Sequence, residues 1–232
     1  MKLVPASSPG MEAAHKNFQV RTIVDTLLID HNLLRPVAMF LKKYSSGDQP
    51  GFEEALDALS LFQSRSDITG SVAPPEYVTT LIRALRQLYH QKGQSINYQR
   101  GAIVEALVCK LICYRYCEPG ELCLNNQRFE ENHRPITVQE VDVAALSISR
   151  KKLEGYECKV SSASFASFDS INLSDLAEEA NERQYRVNVG FVAFENDKIM
   201  KIKLAKFQLP ACINIYSIDN IEILQQLSFL EH

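Results

Sequence analysis

Four residues carry the chemistry that this chain's order of residue types suggests: Glu105, Asp142, Glu157 and Lys159. Asp142 lies in Val-Gln-Glu-Val-Asp-Val-Ala-Ala-Leu, residues 138–146, and Glu157 and Lys159 lie in Gly-Tyr-Glu-Cys-Lys-Val, residues 155–160. Both runs read as strands, and residues two apart on a strand point the same way. Glu157 and Lys159 therefore share one face, and Tyr156, Cys158 and Val160 share the other, which is apolar enough to be core. On the preceding strand Asp142 shares its face with Val138, Glu140, Ala144 and Leu146. If the two strands pair as a hairpin, Asp142 and Glu157 lie side by side.

Two carboxylates at close range on a half-buried sheet repel each other. A hard divalent cation removes that cost. Mg²⁺ takes oxygen ligands, usually one or two carboxylates with waters and a substrate phosphate. It polarises a phosphoryl oxygen and lowers the pKa of a bound water, so the expected reaction is phosphodiester hydrolysis. Lys159 adds positive charge where it would orient the water or stabilise the transition state. Mg²⁺ is the expected cofactor, with Mn²⁺ able to substitute, and Asp142, Glu157 and Glu105 are the candidate metal ligands. Glu105 sits in Gln-Arg-Gly-Ala-Ile-Val-Glu-Ala-Leu-Val-Cys-Lys-Leu-Ile, residues 99–112, which reads as a helix apolar almost all round. A helix of that kind is buried on most sides, so a Glu in its middle needs a partner or a role. The plainer reading sets Asp142 and Glu157 on the surface of an ordinary sheet with Lys159 pairing one of them.

This order of residues resembles the PD-(D/E)XK phosphodiesterase superfamily, which includes type II restriction enzymes, Holliday-junction resolvases and repair and transposition nucleases. The resemblance covers roughly residues 98–218. It implies a core of helix, three antiparallel strands, helix and a further strand. The helix-borne Glu falls on Glu105, the strand Asp on Asp142, and the acid-x-Lys on Glu157 and Lys159. Val141 stands where many members have Pro. The resemblance implies a DNA endonuclease of the type II restriction kind, acting as a homodimer. A repair or mobile-element nuclease, an RNA nuclease, and a non-catalytic binding or scaffold protein on the same fold are the alternatives. Gln184 and Tyr185, near the end of the expected second helix, are further substrate-contact candidates by the same resemblance.

The rest of the chain has to position these groups. Its 232 residues, 46% hydrophobic and 23% charged, suit a globular domain with an extension. No apolar run is long enough to span a membrane, and the first ten residues read as a mobile tail rather than a signal peptide. The net charge is −3, so a nucleic-acid partner would have to meet concentrated basic groups. The trio Arg150, Lys151 and Lys152, in the turn between the two catalytic strands, is one such cluster, or else a solvated hairpin tip. Lys198, Lys201, Lys203 and Lys206 interleave with apolar residues and read as the protection of an edge strand. Six cysteines without a leader indicate a reducing, cytoplasmic setting. Cys109, Cys113 and Cys117 recur every four residues and Cys123 follows. They read as small buried thiols, with a zinc or iron–sulfur site as the alternative.

The expected fold is α/β: a restriction-endonuclease-like core, a mixed central sheet flanked by helices, over residues 96–232, behind a helical N-terminal region over 1–95. Residues 18–44 carry helical spacing with a turn near Asp30-His31-Asn32, and residues 52–63 and 76–91 fit further helices. This region would dimerise, cover the core or contact DNA. In the core we expect strands at 121–129, 136–148 and 153–161, and a polar link containing Ser161, Ser162, Ser164 and Ser167. Next come a helix from Leu173 capped by Asn172, a buried strand at 187–194, strands at 199–207 and 211–217, and a helix over 219–229.

Overall fold

The computed structural model describes residues 1–61, 74–91, 95–137 and 139–226. Val138, most of the expected loop at 64–75 and the end of the expected 219–229 helix lie outside the described residues. The chain divides into two compact units, one of residues 9–103 and one of residues 1–8 with 104–232.

The first unit is helical: α1 (Pro9–Lys16), α2 (Phe18–Ile29), α3 (Leu34–Lys43), α4 (Phe52–Leu61), α5 (Glu76–His90) and the start of α6 (Ile96–Cys113). Asn17 caps α2 by accepting from the Gln19 and Val20 amides. Asp30 closes the expected turn by accepting from the Asn32 amide at 3.0 Å. Pro36 sits in the first turn of α3, where its missing N–H costs nothing. Phe40, Tyr44, Phe52 and Tyr89 stack with ring centroids 5.0–5.5 Å apart and form an aromatic core.

The second unit holds a mixed sheet of seven strands among the described residues. They are β1 (Lys2–Pro5), β2 (Leu122–Glu131), β3 (Arg134–Pro135), β4 (Val141–Ser147), β5 (Lys152–Lys159), β6 (Arg186–Ala193) and β7 (Ile213–Tyr216). The order is β1-β2-β4-β5-β6-β7, with β3 paired to β2 alone. β1 to β5 pair antiparallel, and β5, β6 and β7 pair parallel. The parallel pair β5–β6 needs a crossover, which is α7 (Ser167–Glu182). The α7 side of the sheet packs Val141, Ala144, Leu146, Leu153, Val189 and Phe191 against Leu173, Leu176, Ala177 and Ala180. Gly155 lies beneath α7, and a Cβ there would come within 2.7 Å of Leu176 Cδ2. At Gly190 a Cβ would meet the Asn214 carbonyl oxygen at 2.8 Å, so the β6–β7 approach requires glycine.

The other side of the sheet carries a buried polar network rather than plain core. Glu154 is fully buried; Arg115 Nη2 donates to both of its carboxylate oxygens, at 2.8 and 2.6 Å, and the Tyr116 hydroxyl donates at 2.9 Å. Tyr156 also donates to Glu154, and Asn188 donates to the Tyr156 hydroxyl at 2.7 Å. Each of these residues therefore has at least one hydrogen-bond partner within the network.

Several expected elements differ. The N-terminal residues are not a mobile tail: β1 pairs with β2, Lys2 opposite Glu130 through Pro5 opposite Gln127. The loop at 130–135 is a tight β2–β3 hairpin whose turn residues Asn132 and His133 both have positive φ, as a two-residue hairpin demands. The strand expected from 136 begins only at Val141. α7 starts at Ser167, six residues before the expected start. Asp169 accepts from the Ala166 amide at 2.8 Å and holds that first turn, so Asn172 lies inside the helix. The expected edge strand at 199–207 is helix α8 (Asp197–Leu204). Asn196 caps it through the Ile199 amide at 2.9 Å, and Met200 and Leu204, four apart, are its buried residues. Only the short α9 (Ile223–Gln226) is helical in the described part of 219–229.

Candidate active site

The site forms where the sheet opens. The β4–β5 ladder runs from Ser147 opposite Lys152 to Val143 opposite Tyr156, and the next pair in register would be Asp142 and Glu157. There the Asp142 side chain takes over from the backbone: the Cys158 amide donates to Asp142 Oδ2 at 2.7 Å. On the other flank β2 places Asn126 opposite Asp142, between the pairs Asn125–Val143 and Gln127–Val141. Asn126 has φ 54°, a left-handed backbone that Asn adopts more readily than most residues. The ladder is interrupted on both sides of Asp142, and the Cys158 amide fixes its carboxylate from the backbone.

Lys159 Nζ lies 2.7 Å from Asp142 Oδ2 and 3.6 Å from Glu157 Oε2. The two carboxyl residues are 8% and 3% exposed, so the pair is not the surface ion pair of the plainer reading. Burial pushes the Glu157 carboxyl well above the usual carboxylate range, and the adjacent Asp142 charge pushes it further. Burial works against the Lys159 ammonium, yet Asp142 and Glu157 overcome it and raise its pKa above the ordinary lysine value.

Glu105 approaches from α6. It is 2% exposed and accepts from Asn126 Nδ2 at 3.1 Å, which joins it to the residue opposite Asp142. The buried Cys158 thiol is raised by burial first, then by the charges of Asp142 and Glu105. Asp142, Glu157 and Lys159 are thus in direct contact, and Glu105 is connected through Asn126.

Two members of the site were absent from the expected set. Asp169 is buried at the start of α7, and its pKa is raised by burial against the opposing hydrogen bond from Ala166. Its charge is felt by both Glu157 and Lys159. In sequence it sits beside a serine-rich link and carries no signal. Asn126 was legible only as one of two adjacent asparagines inside a strand, an unusual choice there.

Other expected contacts are not at the site. Lys152 pairs with Arg186 at the opposite end of β5 from Lys159. Glu157 is five residues along, about 17 Å at 3.3 Å per residue. The basic turn is therefore remote, and Arg150 is engaged with Glu121 and the Arg115 carbonyl. Gln184 and Tyr185 are at that same far end. Tyr185 is core, with Lys151 Nζ 4.6 Å from its ring centre. In α8, Lys201 pairs with Asp197 at 2.7 Å and Lys203 with the buried Glu195 at 2.8 Å.

Carboxylate oxygens are the donor type a hard cation takes, and burial disfavours the Glu157 anion even beside Lys159. Among the described residues, the only His, Cys, Asp or Glu group of three or more with ligand atoms all within 4.8 Å of one another is Cys109, Cys113 and Cys123. Asp142, Glu157 and Glu105 do not form such a group. No helix among the described residues is long and apolar enough to cross a membrane. No protein-family model matches the chain, and no curated protein matches it.

Proposed function

We propose that this chain is a Mg²⁺-dependent nuclease on a restriction-endonuclease-like core, with DNA as substrate and a homodimer in the cytoplasm as the working form. The observation that carries the reading is the contact of Asp142, Glu157 and Lys159 at the point where β4 and β5 part. An isolated Asp…Glu-x-Lys occurs by chance, but chance does not place the three side chains together, buried, at an interrupted ladder. The order α6, β2, β4, β5, α7, β6, interrupted only by the two-residue β3 after β2 and a single 3₁₀ turn before α7, also supports it, since it follows the helix–three strands–helix–strand plan. Asp142 and Glu157 would hold the metal, with Glu105 supporting the site through Asn126. Bound there, Mg²⁺ or Mn²⁺ supplies Lewis-acid polarisation of a phosphoryl oxygen and a water of lowered pKa. Lys159 is kept protonated by the two acids. Released from Asp142, its ammonium is placed to orient the attacking water or to balance charge on the phosphoryl oxygens.

The Lys159–Asp142 pair also favours a second reading, because it neutralises Asp142 without any metal. A descendant that keeps the fold for binding would look like this. The deciding experiment is incubation of the purified protein with plasmid, phage DNA and structured RNA in Mg²⁺, Mn²⁺ or EDTA, with Asp142→Asn and Lys159→Ala alongside. Metal-dependent cutting lost in both variants is expected, and discrete DNA fragments would identify a restriction-type activity. No cutting of any substrate, with no Mn²⁺ binding by calorimetry, would replace this reading with the binding protein.

A further inference from the structure

Cys109 and Cys113 lie one turn apart on α6, and Cys123 lies on β2 beside them. Cys109 Sγ is 3.6 Å from Cys113 Sγ and 3.7 Å from Cys123 Sγ, and all three sulfurs fall within 4.8 Å of one another. Three thiols meeting at one point is more than core packing requires. With Zn–S bonds of about 2.3 Å, tetrahedral geometry sets sulfurs ~3.8 Å apart. The separations of 3.6 and 3.7 Å are close to that spacing and far from the ~2.05 Å of a disulfide, which would in any case leave the third thiol over. Cys123 enters the group because β2 runs antiparallel to β4 beneath α6, and no Cys-x-x-Cys spacing announces it.

We propose that Cys109, Cys113 and Cys123 form a binding site for one soft metal ion, Zn²⁺ or a chemically similar cation, separate from the carboxylate site. Thiolates select soft and borderline ions, whereas the carboxylates around Asp142 select hard ones, so the two sites sort metals by donor softness. Cys113 and Cys123 are half-buried, so the group is not sealed in the core. Each thiol that binds loses its proton to solvent as its metal–sulfur bond forms, with no change in oxidation state.

The test uses the full chain, reduced, with Co²⁺ titrated in excess Mg²⁺ so that the carboxylates are filled. The expected result is a thiolate-to-cobalt charge-transfer band that saturates at one equivalent and is displaced by Zn²⁺. Asp142→Asn should keep the band and Cys123→Ser should lose it. Alkylation of the wild-type chain provides a second readout that does not depend on the folding of Cys123→Ser. Zn²⁺ should protect Cys109, Cys113 and Cys123 at least tenfold in rate, while the exposed Cys212 reacts as before. Absence of the band, or equal alkylation with and without Zn²⁺, would overturn the proposal. Neither readout involves cleavage, so the result stands whether or not the chain is a nuclease.

Discussion

Removal of the Lys159 ammonium is the sharpest perturbation of the acid site. Its Nζ is the cation in contact with Asp142, at 2.7 Å, and it lies 3.6 Å from Glu157. Lys159→Ala leaves two buried carboxyl groups facing each other. Breaking a buried pair by removing one partner costs about 3–5 kcal/mol. The Lys159 side chain is 28% exposed, so water enters on truncation and the expected loss falls below that range, at about 2–3 kcal/mol. For a unit of this size that corresponds to a fall in Tm of about 6–9 °C. The assay is thermal unfolding in EDTA and in millimolar Mg²⁺ or Mn²⁺, for the wild type, Lys159→Ala and the double variant Lys159→Ala/Glu157→Gln. Divalent cation should restore most of the loss in Lys159→Ala and raise its Tm more than that of the wild type, because the cation takes over the lost charge. The double variant should recover in EDTA without metal, since one of the two like charges is gone. A loss below about 0.5 kcal/mol, within the range of ordinary surface substitutions, would refute the electrostatic account of the site. So would a metal response equal in the wild type and Lys159→Ala.

Two further outcomes follow from the same geometry. The Glu157 carboxyl is held above its ordinary value near 4.5, mainly by burial and then by Asp142, so folding favours its protonated form. The stability it contributes is complete below about pH 4.5 and is lost as pH rises towards the folded value. Glu157→Gln should therefore be more stable than the wild type in EDTA at neutral pH, and this gain should vanish towards pH 4, as read from denaturant unfolding across pH. Arg115→Ala would strand the fully buried Glu154, which loses its guanidinium partner. A loss of about 3–5 kcal/mol is expected in urea unfolding, with partial rescue by Glu154→Gln.

Residue types and order by themselves determined much of this protein. Strand alternation alone puts Glu157 and Lys159 on one face, and an acid on the preceding strand, Asp142, falls beside them once the two strands form a hairpin. Glu105 was legible as a charge in the middle of an apolar helix. The long periodic helices α2 and α5 and the buried parallel strand β6 were also evident, since each repeats its pattern over many residues. Tertiary structure decided the rest. Residues 199–207 alternate locally as a strand does, but the Asn196 cap and the pocket for Met200 and Leu204 make them helical. Lys2–Pro5 is too short to declare itself and becomes a strand because β2 offers it an unpaired edge. The basic turn at Arg150–Lys152 lies between the acids in sequence. An antiparallel hairpin, however, sends its turn and its open end in opposite directions. Asp169, Asn126 and the junction of Cys123 with Cys109 and Cys113 depend on which strand lies beside which helix. Such neighbourhoods arise from long-range pairing, and no local spacing encodes them.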